Sequence, residues 1–343
     1  MDSPLKTFRN SRTTSVTIAS SENLGAKLSI WCNNAGVTIT PNSFYISTRD
    51  GISLRMLQWS SVDESPGIPI LLIHGLASNA RLWDGPARRL AELGHAVTAI
   101  DLRGHGLSDK PDTGYDMANI ADDVLDVVKA LGARQRNWVR PLVLGQSWGG
   151  NIVVEYAHRY GDTIRGIVAV DGGSIELSEA FPEWEQCKVT MAPPAIAGMQ
   201  YDKLRSYIRA AHLDWSEEAI DGQMHNMERM PDNTIRPHLT FERHIDVLHG
   251  LWKHTPSLLW SDIKVPVLFT PASRSDDHHT QSKRAQIQFA LDNLSHGRVE
   301  WFTPADHDLH AQFPLQFAPC LGDQFLVLRL QRIQLLPMVQ PLR

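Results

Sequence analysis

The sequence predicts an α/β fold with a mostly parallel sheet and helices on both of its faces. One observation behind this prediction is a series of short, continuous apolar segments, which are typical of strands buried in a parallel sheet. The other is that longer segments, whose apolar residues have helical spacing, separate these strands. Regular alternation of strand and helix places the helices on both faces of one sheet.

Composition and charge exclude several classes of protein. The chain has 343 residues, of which 42% are hydrophobic and 21% charged, and this suits one large globular domain or a domain with an inserted lobe. The formal net charge of -5 provides no basic face for nucleic acid. No apolar segment reaches the ~18 residues of a membrane span. The expected partner is a small-molecule substrate, while the oligomeric state stays open, with a homodimer as one option.

The three cysteines, Cys32, Cys187 and Cys320, lie far apart and lack C-x-x-C spacing. This pattern argues against a disulfide framework or a zinc site and favours a reducing compartment, for which we expect the cytoplasm. Residues 1–41 are rich in Ser, Thr and Asn and are predicted to form a flexible tail, although an organelle transit peptide has a similar composition. Residues 321–343 form a leucine-rich tail for which the sequence predicts no defined structure.

The first half of the chain begins with a predicted hairpin. Its two strands, within residues 43–59, join at Arg49-Asp50-Gly51, and a polar loop at 61–67 follows. Apolar periodicity then predicts strand 68–74, helix 81–93, strand 95–101 and helix 117–131.

The second half of the chain contains an interruption. The alternation continues through strand 142–144, helix 151–160 and strand 163–171, and it resumes with strand 263–270, helix 281–291, strand 298–302 and a closing helix that begins within 303–312. Residues 173–259 are predicted to be helical and irregular, and we interpret them as a lobe inserted over the sheet edge. The core then consists of residues 42–172 and 260–320.

A nucleophile motif follows the strand at 142–144. The segment Gly145-Gln146-Ser147-Trp148-Gly149 matches G-x-S-x-G, and a serine at the tip of such a turn is expected to have a strained backbone with positive φ. The glycines at 145, 149 and 150 remove bulk that would collide with the strand and the helix. The helix N-terminus favours negative charge that develops nearby. A glycine-rich turn with a structural serine is the alternative, but the flanking strand and helix favour the nucleophile.

Four polar residues fall at the C-terminal ends of predicted strands, namely His74, Asp101, Ser147 and Asp171. In open parallel sheets, ligands bind beyond these ends of the strands. The pattern therefore predicts a functional site at this edge of the sheet.

Five motifs together resemble the α/β-hydrolase superfamily, over about residues 43–316. They are His74-Gly75, Asp101-Leu-Arg-Gly-His-Gly-Leu-Ser108, the segment 145–149, Val265-Pro-Val-Leu268 and Ala305-Asp-His307. The resemblance implies an eight-stranded sheet, a helical cap (lid) formed by residues 173–259, and no metal or organic cofactor. Asp101 and Arg103 match residues that organise a loop in this family, and we do not assign them to catalysis.

The resemblance also implies a catalytic triad in the chain order nucleophile, acid, histidine. Ser147 matches the nucleophile, and His307, in the loop after the last strand, matches the base that activates it. The oxyanion hole would use the backbone N–H groups of Leu76 and Trp148.

The acid of the triad stays open between two aspartates. Many relatives carry it in a turn after the strand predicted at 263–270, but Ser275 stands at that place here and Asp276 comes one residue late. Asp171 ends the strand at 163–171, a position that some relatives use and from which a carboxylate can reach the same imidazole. Geometry and not sequence position defines a triad, so we favour Asp171 and keep Asp276 as the alternative acid.

Serine at the nucleophile position argues against the family's dehalogenases and epoxide hydrolases, which use a carboxylate. It favours acyl transfer, and we expect a hydrolase of esters, thioesters or lactones. The Met- and Trp-rich lobe indicates a medium-sized apolar substrate. Carbon–carbon bond hydrolysis and cofactor-free perhydrolysis use the same triad and remain alternatives. A ligand receptor that keeps the fold with vestigial turnover is the alternative of another class.

Overall fold

A computed structural model describes residues 39–60 and 67–321 of the chain. Its strands are β1 (Asn42–Ser47), β2 (Ser53–Trp59), β3 (Pro69–Ile73), β4 (Ala96–Ile100), β5 (Leu142–Gln146), β6 (Gly166–Val170), β7 (Met227–Arg229), β8 (Ile235–Pro237), β9 (Val267–Thr270) and β10 (Gly297–Val299). The predicted tails at 1–41 and 321–343 lie outside the described residues except for 39–41 and 321. The predicted loop at 61–67 lies outside them except for its last residue.

Eight of these strands form one mostly parallel sheet, as predicted. Their order is β1-β2-β4-β3-β5-β6-β9-β10. The β1/β2 hairpin and the β2/β4 pair are antiparallel, and all remaining neighbours in this sheet are parallel. Strands β3, β5, β6 and β9 are neighbours, so their carboxyl ends meet at one edge of the sheet.

Helices cover both faces of the sheet. The α-helices of the described ranges are α1 (Asp84–Glu92), α2 (Met117–Arg134), α3 (Trp148–Tyr160), α4 (Leu177–Ala180), α5 (Trp184–Thr190), α6 (Tyr201–Ala211), α7 (Glu217–Met224), α8 (Phe241–Lys253), α9 (His278–Asn293) and α10 (Leu309–Gln312), and α4 to α8 lie within residues 173–259. Within the described ranges, no helix has both the length and the apolar character needed to cross a bilayer.

The continuous apolar character of the strands results from burial on both faces. In β3, Leu71 and Ile73 pack in a core with residues of α2, α3 and α9, whereas Ile70 and Leu72 pack in a second core with residues of α1 and α10. Successive residues of a strand point to opposite faces, so both sets must be apolar.

Two local features differ from the predictions. Helix α2 continues past Gly132 to Arg134, because a glycine near a helix end weakens the helix without breaking it. The segment predicted to be helical and irregular also contains a two-stranded antiparallel ladder, β7/β8. Strands of three residues are too short to show an alternating pattern in the sequence.

The helical segment, defined as residues 173–259, contacts the loop after β3 and helix α1 through polar groups. The Asn79 amide donates to the Gly222 carbonyl at 2.9 Å and to Asn226 Oδ1 at 2.6 Å. Arg88 on α1 forms an ion pair with Glu218 on α7. These contacts fix the segment beside the loop that follows β3.

Asp101 organises the loops at the carboxyl ends of β3 and β4. Its Oδ1 accepts the Ala80 N–H at 2.7 Å, and its Oδ2 accepts the Leu107 N–H at 3.0 Å and the Arg55 guanidinium at 3.1 Å. Its side chain is fully buried. The contacts agree with the loop-organising role that the sequence resemblance implies.

Replacing this carboxylate should destabilise the fold strongly. Asp101→Asn leaves Arg55 without its buried counter-charge, and it replaces one carboxylate oxygen, which accepts hydrogen bonds, by an NH₂ group that cannot accept them. We expect a loss of about 3 kcal/mol of unfolding free energy. Urea denaturation measures the loss. Asp112→Asn is the matched control, because Asp112 is exposed and pairs with Arg243 at the surface, so it should have little effect. Equal stability of both variants and the wild type would contradict this role.

Candidate active site

Ser147 occupies the turn between β5 and α3. Its backbone has φ of 54° and ψ of -119°, so the predicted positive φ is confirmed. Ala77 and Asp171 also have positive φ, at 56° and 41°. Such conformations are costly for residues with a side chain and concentrate at functional sites.

The glycines of the motif allow the turn to fit against its neighbours. A Cβ on Gly145 would lie 1.9 Å from the Gly149 carbonyl oxygen, and one on Gly149 would lie 2.6 Å from the His74 carbonyl oxygen. Both distances are too short for any side chain. The start of α3 therefore lies directly against the backbone of β5 and of the loop after β3.

His307 and Asp171 meet at this edge of the sheet. His307 Nδ1 lies 2.6 Å from Asp171 Oδ2, and an ionised carboxylate can only accept, so Nδ1 carries the proton. Nε2 of the same ring is then left as the basic nitrogen. The Asp171 side chain is 4% exposed, whereas that of His307 is 53% exposed. The pair presents an accessible base held by a buried carboxylate.

The Ser147 turn lies next to this pair. The Ser147 N–H donates to the Val170 carbonyl at 2.9 Å, one residue before Asp171. The amide of Gln146 donates to the His307 carbonyl at 3.3 Å. Although the Ser147 and His307 side chains are both described, no hydrogen bond joins the serine hydroxyl to the imidazole. Such bonds are often long before a substrate binds.

The second oxygen of Asp171 has two further partners. Oδ1 accepts the Ala272 N–H at 2.9 Å and the Lys283 ammonium at 2.6 Å. Burial alone raises the pKa of Asp171, but the hydrogen bond from His307 and the charges of His307 and Lys283 outweigh burial and lower this pKa below its usual range. Asp171 is therefore ionised at neutral pH.

The surroundings of His307 act in opposite directions on its charge. The protein atoms packed around the ring lower the pKa of His307, while the hydrogen bond to Asp171 and the charges of Asp308 and Asp171 raise it. The net result is a raised pKa, although Lys283 opposes it. The imidazole is thus poised to take up a proton.

Asp276, the alternative acid, contacts residues other than His307. The Asp276 side chain is 74% exposed, and its partner is Arg284 at 3.9 Å. Ser275, at the position where the family pattern has an acid, donates to Asp277. The structure therefore brings Asp171, and not Asp276, to His307.

The two backbone N–H groups predicted for the oxyanion hole flank Ser147. Trp148 is the first residue of α3, where the N–H has no acceptor within the helix. Leu76 follows Gly75, and a Cβ on Gly75 would lie 3.1 Å from Ser147 Cβ. His105 Nε2 accepts the next N–H, that of Ala77, at 3.3 Å and holds this loop.

A cavity of about 600 Å³ begins beside the same loop. It lies between Ala77 and the helical segment, and its wall is mainly apolar, with Pro193, Ile196, Met227, Pro237, Leu239 and Phe241. Ser147 and His307 are not part of its lining. Within residues 39–60 and 67–321, no group of three or more His, Cys, Asp or Glu side chains is arranged to hold a metal ion.

Sequence reasoning missed Lys283 and Gln146 as neighbours of the site. Lys283 lies on α9, thirteen residues after the end of β9 at Thr270, and no local motif marks it. Gln146 is inside the G-x-S-x-G match, at a position that the motif leaves free. Only the packed structure identifies the partners of these two side chains.

Comparison with known proteins identifies a family and several relatives. A family model described as alpha/beta hydrolase fold matches residues 68–261. The 2-(acetamidomethylene)succinate hydrolase of Mesorhizobium japonicum is 34% identical over 109 residues, which are 32% of this chain and 37% of that protein. A non-heme chloroperoxidase of Streptomyces lividans is 35% identical over 114 residues, 33% of this chain and 38% of that protein. The matches thus span less than two fifths of either relative.

One solved structure extends the similarity over most of the fold. The crystal structure of E-2-(acetamidomethylene)succinate hydrolase matches with a TM-score of 0.68 and 23% sequence identity. The match covers 83% of this chain and 99% of that one. At this identity it shows a common fold.

The hydrogen bond between His307 and Asp171 gives a testable pH dependence. Because the carboxylate stabilises the charged imidazole, Asp171→Asn should lower the pKa of His307 relative to the wild type. Asp276→Asn, which removes the same charge from an exposed turn, should leave it unchanged. NMR titration of the imidazole signals, assigned with His307→Gln, measures both values. An unchanged titration in Asp171→Asn would show that the pair does not form in solution.

Proposed function

The chain belongs to the α/β-hydrolase family, and on this premise we propose that it is a hydrolase that cleaves carboxylic esters or lactones through a covalent serine intermediate. The observation that carries the proposal is the hydrogen bond between His307 and the buried, ionised Asp171 beside the strained Ser147 turn. A serine hydroxyl needs such a base to become an effective nucleophile.

The proposed reaction proceeds in two halves. Ser147 Oγ attacks the carbonyl carbon while its proton passes to His307 Nε2, and Asp171 stabilises the imidazolium. The Leu76 and Trp148 N–H groups donate hydrogen bonds to the tetrahedral oxyanion, each donor contributing roughly 3–4 kcal/mol. His307 then returns its proton to the leaving alcohol. Water, activated by the same imidazole, hydrolyses the acyl-enzyme and releases the acid.

We assign the helical segment, residues 173–259, the role of a cap that supplies the substrate cavity. The apolar wall of this cavity favours a medium-sized apolar acyl group. The relative from Mesorhizobium is named for a succinate, which carries two carboxylates. Arg236, the cation on this cavity wall, already pairs with Glu228 at 2.9 Å, and burial lowers the pKa of His244 to about 4. The cavity therefore offers little to a dicarboxylate.

Perhydrolysis is the second candidate reaction, because one relative is named a chloroperoxidase. It would use the same acyl-enzyme, with hydrogen peroxide replacing water as the second acceptor. Hydrolysis and perhydrolysis therefore differ only in the species that attacks the acyl carbon. A peracid assay with added hydrogen peroxide distinguishes them.

Covalent labelling tests the nucleophile directly. A fluorophosphonate probe should label the wild type at Ser147, as read by mass spectrometry of the modified peptide, and should not label Ser147→Ala. A panel of p-nitrophenyl esters and lactones should be hydrolysed by the wild type only. Asp171→Asn should lower kcat by about 10⁴, and Asp276→Asn should not.

Two outcomes would overturn this proposal, and a third would change its acid. Absence of labelling and turnover in a folded wild-type protein would favour a receptor that keeps the fold without an activated serine. Equal turnover by wild type and Ser147→Ala would assign the chemistry to another group. Loss of turnover in Asp276→Asn alone would reassign the acid.

The cavity predicts a dependence on acyl length. If the acyl group enters it, kcat/KM for p-nitrophenyl esters should rise by roughly fourfold per added CH₂ until the cavity is filled. Ala197 lines the cavity, and Ala197→Trp should shorten the preferred chain. Ala211→Trp, at the exposed end of α6, is the matched control and should keep the wild-type preference. A flat chain-length profile in the wild type would exclude this cavity as the acyl site.

A further inference from the structure

Lys283 lies behind the Asp171–His307 pair, on the side away from the imidazole. Its ammonium is 2.6 Å from Asp171 Oδ1 and 2.9 Å from the Ala272 carbonyl oxygen. The Lys283 side chain is 16% exposed. Two short contacts on one ammonium at this burial fix the end of a side chain that is otherwise flexible.

The two oxygens of Asp171 are divided between different partners. Oδ2 contacts His307, while Oδ1 contacts Lys283 and the Ala272 N–H. A carboxylate bound on both oxygens cannot rotate about its last bond without losing hydrogen bonds. The contacts of Oδ1 with Lys283 and the Ala272 N–H therefore set the direction in which Oδ2 faces the imidazole.

This arrangement follows from the position of the acid. Asp171 directly follows β6, and its Oδ1 faces the loop after β9 and helix α9. Asp276 in that loop points to solvent. The acid instead receives the Ala272 N–H from the loop and the Lys283 ammonium from α9. In many relatives the acid lies in the segment after the strand that corresponds to β9. Here that segment binds and holds Asp171, which follows the neighbouring strand β6.

We propose that Lys283 is a positioning residue of the site, which orients Asp171 toward His307 and limits how strongly this carboxylate stabilises the charged imidazole. The proposal rests on the function proposed above, in which the pair activates Ser147. Lys283 itself does not contact the reacting atoms in this scheme.

Charged groups of several elements surround His307. Asp171 from the end of β6 and Asp308 from its own loop raise the pKa of His307, whereas Lys283 from α9 lowers it. His310 is buried, with a pKa lowered to about 3, so it stays neutral. The charge of His212 in the helical segment lowers the pKa of Asp308, whereas the charge of Asp306 raises it. Asp306 is itself paired with Arg274. Removal of the Lys283 charge should therefore favour the imidazolium.

NMR titration of the His307 ring tests this inference without any substrate. In Lys283→Met the midpoint should shift to higher pH than in the wild type. Lys283→Arg, which keeps the charge, should titrate like the wild type. Lys283→Gln keeps a donor without the charge and should shift in the same direction as Lys283→Met. If Lys283→Met does not fold, the comparison of the Gln and Arg variants gives the same test.

Arg284→Met is the matched control. It removes one positive charge from the neighbouring position of α9, where the guanidinium lies over the Trp301 ring, 4.2 Å from its centroid. This variant should leave the His307 titration unchanged. An equal shift of the His307 titration in Arg284→Met and Lys283→Met would show that the shift reflects only the net charge of the protein, and it would overturn the inference.

Kinetics supply the second readout. The acidic limb of the kcat/KM profile should move to higher pH in Lys283→Met, and the plateau kcat should fall by roughly tenfold to 100-fold, because a small misplacement of Asp171 is costly. In Lys283→Gln the plateau kcat should lie between those of Lys283→Met and the wild type. The acidic limb of its kcat/KM profile should stay at the higher pH seen in Lys283→Met. An unshifted titration in Lys283→Met overturns the role of Lys283 alone, whereas failure of Ser147 labelling in the wild type overturns the proposed function alone.

Discussion

The parallel pairing of β5, β6 and β9 is the constraint on which the site depends. The Ser147 N–H donates to Val170, and the Asp171 N–H donates to Thr270 at 3.1 Å, so each strand ends in register with the next. This register brings the serine turn, the aspartate and the loop after β9 to one edge. A shift by one residue would turn Asp171 to the opposite face of the sheet. The chemistry of the site is therefore fixed first by backbone hydrogen bonds.

The electrostatics of the site follow from this placement. An acid at the end of β6 is covered by α9 and becomes nearly inaccessible to water, and burial of an unpaired carboxylate is costly. The Ala272 N–H, Lys283 and His307 together compensate this burial. The imidazole remains accessible, with 53% of the His307 side chain exposed. A buried anion and an exposed base are thus two consequences of one geometry.

Much of the fold was predictable because its signals are local. The buried strands, the β1/β2 hairpin and the G-x-S-x-G turn each depend on residues close together in the chain, and the predicted sheet was confirmed. The choice between Asp171 and Asp276 was not local, because it depends on which strand end faces His307. Lys283 had no sequence signal, since its role arises only from the packing of α9. The β7/β8 ladder was missed because its strands are too short to show a period.

Backbone strain connects the site to the stability of the surrounding loops. Ala77, Ser147 and Asp171 have positive φ, and such conformations cost of order 1–3 kcal/mol each. These backbone conformations persist because contacts with neighbouring residues hold them in place. His105 accepts the Ala77 N–H, and the register of β5, β6 and β9 holds the other two residues. Asp101 in turn holds the adjoining loops through Ala80 and Leu107. Residues that never meet a substrate therefore sustain the geometry that the proposed chemistry requires.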